Sequence, residues 1–503
     1  MAVKTWRAAV VAALLVPGWA TAQDVTLTSR DGALALAGQL QGYDGEFYRI
    51  TTVYGALTVD AQGVICDGPA CPDLTAPVAV IRVVGANDAG TALLPPLIAA
   101  FALARGLLIV LPEKDGEPTR LTDAASNRLL AEFHFRAMLP ELAHTELKAG
   151  RAELIVASAI EPDFGSLPIA LDALVPIVAS DNTVPGIATP DLARALAGEI
   201  ANWAEIGGPD MSLVLHGLTR ESDLQRALAA RLGREVAASI THADLGALAT
   251  AVARDPWALA VTGKAASGAA RVLPLSDSCG FPLLPNALAV KAEDYPLTLP
   301  VFLLTPRRRL PLVAREFLEF LAAPQAQMAI ASAGYVDRSP EMQPMTADGL
   351  RLINAIQGAG GETTLADLKR LVDVMDGADR LSLTFRFVDG SSRLDPTSQE
   401  NLTDLARLLE SGQFTDRTLI LAGFSDGSGA ANANFDLSLN RAVGVLNALK
   451  AVAPGLLPTR LPRVEAFGEA LPMACDQTAA GRRLNRRVEV WLKPAFVKDI
   501  PAP

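Results

Sequence analysis

Residues 424–442 read F-S-D-G-S-G-A-A-N-A-N-F-D-L-S-L-N-R-A, and the architecture around them can be built outward in both directions. The apolar run Thr418–Phe424 predicts a strand, S-D-G-S-G a tight turn, and the stretch from about Asn434 a helix. Upstream, Leu381–Phe387 predicts a second strand, followed by a helix capped by Asp395 with Pro396 at its first position. The order is β-α-β, and a compact α/β unit is expected to begin near Leu381.

These residues resemble the OmpA-like peptidoglycan-binding family, whose signature is T-D-x-x-G, a short spacer, then N-x-x-L-S-x-x-R-A. Asp426, Gly429, Asn434, Leu437, Ser438, Arg441 and Ala442 fall at the family's spacing, and Ser425 stands where it has Thr. F-G-E-A-L-P (Phe467–Pro472) resembles its G-E-x-x-P loop, and G-R-R-L-N-R-R-V-E (Gly481–Glu489) its closing N-R-R-V-E strand. The resemblance implies that Ser425, Asp426, Gly429, Asn434 and Arg441 form a site for diaminopimelate, with Arg486 a further candidate. Physical chemistry agrees. The diaminopimelate side chain ends in an ammonium and a carboxylate on one carbon, so a receptor needs an anion beside a forked cation. The structural alternative is that Asp426 caps the turn, while Arg441 and Arg486 are solvated charges.

Between residues 77 and 340 the pattern alternates. A β run Val78–Val84 precedes a helix Thr91–Arg105 and a β run Leu107–Leu111; then come helix Glu141–Ala149 and strands Glu153–Ala157 and Leu174–Val178. Thr189 is the expected cap of a helix with Pro190 at its first position, and Leu312–Ala333 a final helical stretch. L-A-G-E-I-A-N-W-A-E-I-G-G-P-D (Leu196–Asp210), I-A-L-D-A-L-V-P-I-V (Ile169–Val178) and L-K-A-G-R-A-E-L-I-V-A-S (Leu147–Ser158) resemble phosphate-type (PstS-like) periplasmic solute-binding proteins of ABC importers. So do A-R-E-F-L-E-F-L and A-S-A-G-Y-V near its end. The expected fold class is α/β: a two-lobed binding-protein-like domain (77–340), a helical connector (341–378), then an OmpA-like α/β sandwich domain (379–495).

In that family, anions are held by hydroxyls, helix-start N–H groups and an Arg. Here the first loop is G-A-N-D-A-G-T, with Gly85, Ala86, Asn87 and Asp88 where the family has G-S-x-T. The second, Leu218–Leu224, keeps Ser222 but has Leu218, Asp223 and Leu224 for Arg, Gly and Thr. The two added carboxylates oppose phosphate. Arg220 is the candidate replacement cation, and Ser158 and Asp172 are candidate cleft residues, each with a purely structural alternative. The domain is thus either a receptor for a small anion or other solute, or a scaffold that has lost its ligand and contacts protein partners.

Residues 1–22 carry Lys4, Arg7, the apolar stretch Ala8–Val16 and Ala20-Thr21-Ala22, a secretory signal peptide pattern. No later uninterrupted apolar run reaches the roughly 20 residues of a membrane-spanning helix, so no transmembrane segment is expected in the mature chain. Residues 23–76, with turn signals Asp31-Gly32 and Asp44-Gly45, predict a small antiparallel β module. Export favours a disulfide between Cys66 and Cys71; whether Cys279 pairs with Cys475 is open. Across 503 residues, 44 Lys and Arg against 55 Asp and Glu give a net charge of -11, which disfavours nucleic acid as a partner. No P-loop or H-E-x-x-H pattern occurs, so an enzyme such as a hydrolase is not expected. No cofactor or metal is expected either. The sequence points to the periplasm of a Gram-negative bacterium, in association with peptidoglycan or the outer membrane.

Overall fold

The computed structural model describes residues 25–494 except 30–31, 44–46, 72–77, 115, 125–126, 359–361 and 389. The signal peptide, Asp31 of the Asp31-Gly32 turn and the Asp44-Gly45 turn lie outside the described residues. Residues 25–67 form an antiparallel sheet in which Phe47–Thr52 and Ala35–Tyr43 lead to Val25–Ser29 and Val64–Asp67. Alternate residues Val25, Leu27, Tyr48 and Ile50 fill its small core. A disulfide joins Cys66 to Cys71.

From residue 80 onward, one large mixed sheet runs through two lobes. The first lobe contains Ala79–Gly85, Leu154–Ala157 and the meander Leu107–Val110, Thr119–Asp123 and Leu129–Ala137. The second contains Val214–Leu218, Ile240–His242 and Ala258–Gly263. Two long antiparallel strands, Gly165–Val178 and Thr298–Thr305, belong to both and make the crossover. Among the described residues one helix, Asn87–Ala104, is long and apolar enough to cross a membrane. It packs as a core helix: Leu93, Leu94, Leu97, Ile98 and Phe101 are buried, and the Phe101 ring meets Phe317 edge-on.

Three expectations change. Thr189 is inside its helix, Thr189–Leu196, and not its cap; Ala188 precedes it, and the Thr189 hydroxyl donates instead to the Ser276 carbonyl at 2.8 Å. Leu312–Ala333 is two helices, Leu312–Phe320 and Pro324–Ser332, because Pro324 lacks the N–H that would continue the first. The stretch expected as a connector is part of the C-terminal module.

That module has the strand order Met342–Pro344, Asp379–Arg386, Arg487–Pro494, Arg417–Phe424, Arg463–Ala466. Along Arg417–Phe424 the side chains alternate between two cores. Leu419 and Leu421 meet Leu405, Leu409, Val445 and Leu449 from helices Pro396–Glu410 and Ala431–Val452. Ile420, Ala422 and Phe424 face Leu368, Leu371 and Met375 from helix Leu365–Met375. Without Gly349–Gly358 and Leu365–Met375 this second face would lie open to water.

The two-lobed body and the C-terminal module share a buried polar interface. Asp294 accepts from Arg386 at 2.8 Å and forms an ion pair with Arg380 at 2.6 Å, with all three side chains nearly inaccessible. Arg380 also lies near Glu489, which pairs with Arg351 and Arg487. Arg338 reaches Asp404 at 2.7 Å, and Cys279 is disulfide-bonded to Cys475.

Candidate functional site

The C-terminal site is built where strand Arg417–Phe424 hands over to helix Ala431–Val452. Helix and strand approach so closely at Gly423 that a Cβ there would sit 2.0 Å from the Ser438 carbonyl oxygen. Gly429, at φ +105°, turns the chain into the helix with open space around it. Between them Asp426 is anchored twice: the Ser428 N–H donates to Oδ1 at 3.1 Å and Arg486 Nη1 to Oδ2 at 2.9 Å. Burial raises the Asp426 pKa, but the Arg486 and Ser428 hydrogen bonds outweigh it and hold the carboxyl below its usual range.

Arg441 enters the same group from the helix. Its Nη1 donates weakly to the Phe424 carbonyl at 3.4 Å, its guanidinium lies 5.6 Å from the Phe387 ring centre, and it makes no ion pair among the described residues. Burial and the nearby Arg486 charge lower its pKa, while Asp426 opposes them. One carboxylate thus lies among two guanidiniums, with Arg486 rather than Arg441 in direct contact.

Ser425 and Asn434 are buried beneath this group. The Ser425 N–H donates to the Gly468 carbonyl at 2.8 Å. Asn434 donates to Glu469 at 3.4 Å, and Ser438 accepts from the Gly468 N–H at 3.1 Å, so the helix holds the Phe467–Pro472 loop in place. N-R-R-V-E divides likewise. Asn485 accepts from the N–H groups of Met473 and Ala474, and Arg487 turns inward over the Phe424 ring to pair with Glu489. Burial pushes the Arg487 pKa down to about 10.

Sequence reasoning missed an acidic rim. The Gly427 N–H donates to Asp476 at 2.6 Å and the Ala431 N–H to Glu362 at 2.8 Å, at the positive end of the long helix. Burial, with Glu362 and Asp476 nearby, raises the Glu469 pKa against a Thr363 hydrogen bond. The Glu469 position was visible in G-E-x-x-P; Asp476 and Glu362 are brought in only by the tertiary fold.

In the two-lobed body, the starts of helices Asn87–Ala104 and Asp223–Leu232 face each other across the cleft. Asp223 accepts from the Asn87 backbone N–H and pairs with Arg226, and Asp88 is hydrogen-bonded to Ser222. Burial raises the Asp88 pKa, and Asp223 and Asp244 raise it further. Gly85 is buried with φ +122°, its Cα against the Val156 carbonyl, and Ala86 is buried beside it. Ser158 lines the cleft wall. Asp172 lies against Gly263 and accepts from the backbone N–H groups of Ala173 and Lys264, yet burial pushes its pKa up to about 6. Arg220 does not supply a cation to the cleft. Its side chain is 81% exposed, 3.9 Å from Glu235, because it stands on the outer side of the loop.

Comparison with known proteins places residues 386–486 in the OmpA family. "Probable lipoprotein YiaD" of Escherichia coli is 33% identical over 108 residues, 22% of this chain and 47% of that protein. "Outer membrane porin F" of Pseudomonas fluorescens is 34% identical over 110 residues, 22% of this chain and 32% of that protein. The chain therefore spans less than half the length of these curated relatives. An ABC-type phosphate transport receptor from Vibrio cholerae is similar over 51% of this chain and 99% of its own, at 16% identity and a TM-score of 0.41. The C-terminal module carries an OmpA family domain, fused to a two-lobed α/β body.

Proposed function

We propose that this chain is a non-enzymatic protein of the bacterial cell envelope, exported to the periplasm, that grips peptidoglycan non-covalently through its C-terminal domain. The observation that carries this reading is the grouping of Asp426 with Arg441 and Arg486 beside the open turn at Gly429. The diaminopimelate ammonium sits against Asp426 and its carboxylate against the Arg441 fork, which has no carboxylate partner among the described residues. Arg486 holds Asp426 in position beforehand, so little side-chain freedom is lost on binding. Co-sedimentation with purified sacculi tests the reading: Asp426→Ala should leave most of the protein in the supernatant, and retention equal to the parent chain would refute it.

For the two-lobed body the geometry favours a scaffold over a phosphate receptor. The helix starts that would cradle a small anion are engaged by the chain's own Asp223 and Asp88, whose charges repel another anion. Phosphate added to the full chain should leave its melting temperature unchanged; a rise that saturates with phosphate concentration would restore the receptor reading.

A further inference from the structure

A cavity of about 970 Å³ lies where both lobes meet the C-terminal module. Its walls are largely apolar, with Leu192, Leu196, Leu232, Leu297 and Phe302 among them, and its volume suits a small organic molecule. Of the four carboxylates lining it, three are engaged within the chain and Glu161 is partly exposed. Asp223 pairs with Arg226, and Asp395 caps its helix by accepting from the Ser398 N–H at 2.9 Å. Glu293 is hydrogen-bonded to Thr397, and Glu161 lies 4.0 Å from His144. Of the four arginines, Arg226 and Arg386 have carboxylate partners.

Arg231 and Arg483 have none among the described residues. Arg231, on helix Asp223–Leu232, donates only to carbonyls, Thr298 at 2.5 Å and Ala227 at 3.4 Å. Arg483 comes from the C-terminal module, and the two are close enough for each to feel the other's charge. The Arg483 charge acts on Glu293, but neither arginine has a carboxylate within ion-pair distance among the described residues, and two like charges from separate parts of the chain facing one apolar cavity form an arrangement that an anion would complete.

We infer that this cavity binds an amphipathic organic acid, its carboxylate between Arg231 and Arg483 and its apolar body against the leucine-rich wall. The cavity reaches the start of helix Asp223–Leu232 at Asp223, but the carboxylate would sit by Arg231 in the last turn of that helix, away from the peptidoglycan site. A bound acid would bridge the two-lobed body and the C-terminal module.

Isothermal titration calorimetry of the full chain with decanoate, below its micelle concentration, provides the test. Decanoate should bind once per chain, and decyltrimethylammonium, with the same tail and opposite charge, should not. Arg231→Gln and Arg483→Gln should each weaken decanoate binding about tenfold, as expected on losing one charge-assisted contact. Arg393→Gln, which removes an exposed arginine elsewhere, should not. No decanoate binding, parent-like affinity in both cavity variants, or equal binding of the cationic probe would each overturn the proposal. Both arginines are solvent-accessible, so their replacement leaves the core intact; a circular dichroism melt matching the parent would verify this.

Discussion

Cys279 in the second lobe and Cys475 in the C-terminal module, 196 positions apart, are joined by a disulfide. Closing so long a loop restricts the unfolded chain strongly, by up to about 5 kcal/mol on the chain-entropy account. Cys279→Ser with Cys475→Ser should therefore lose roughly 2–5 kcal/mol in urea unfolding. An unchanged midpoint would mean that the buried ion network alone holds the two parts together.

Asp294 is the shared carboxylate of that network. Replacing it with Ala leaves Arg380 and Arg386 facing a dry interface, which typically costs about 3–5 kcal/mol. Asp294→Ala should lower the thermal midpoint markedly, and limited proteolysis should then cleave between the two parts sooner than in the parent.

Asp172 carries a pH dependence of known direction. Its folded pKa, about 6, lies above the unfolded value of about 4, so the folded state holds more protons between those limits. Its contribution to stability is present below about pH 4 and is lost as pH rises through 6. Asp172→Asn should be more stable than the parent at pH 7 by on the order of 2 kcal/mol, less whatever the two backbone hydrogen bonds lose, and its advantage should vanish near pH 4. Urea midpoints at four pH values measure the difference.

Arg441→Ala should lose about 2–5 kcal/mol of sacculus binding, because it leaves a ligand carboxylate unpaired. Arg441→Lys keeps the charge without the fork and should fall between parent and Ala. If Lys binds as well as Arg, paired N–H donation is not the mode of contact.

Much of the C-terminal site was readable because its signals are local. Asp395 caps its helix as expected, and the turn around Asp426 lies at the expected strand end. What sequence could not give was which arginine touches Asp426: Arg486 is 60 positions away, and only the closing strand brings it there. Residues 341–378 were misjudged for a related reason. Short Gly-interrupted helices announce an apolar face without revealing what it covers, although the unbroken apolar run Thr418–Phe424 did signal a strand needing cover on both sides. Thr189 looked like a cap because Pro follows it, and a tertiary partner took its hydroxyl instead. Arg231 and Arg483, 252 positions apart, carry no common motif at all.

A receptor on a slack leash can swivel freely above its anchorage. Here the parts of the would-be leash at Met342–Pro344 and Leu365–Met375 are woven into the C-terminal module as an edge strand and a helical layer. On the proposed peptidoglycan-binding reading the consequence is directional: with the domain on the murein mesh, the two-lobed body would be aimed at one fixed bearing to the wall, like a bracket rather than a buoy.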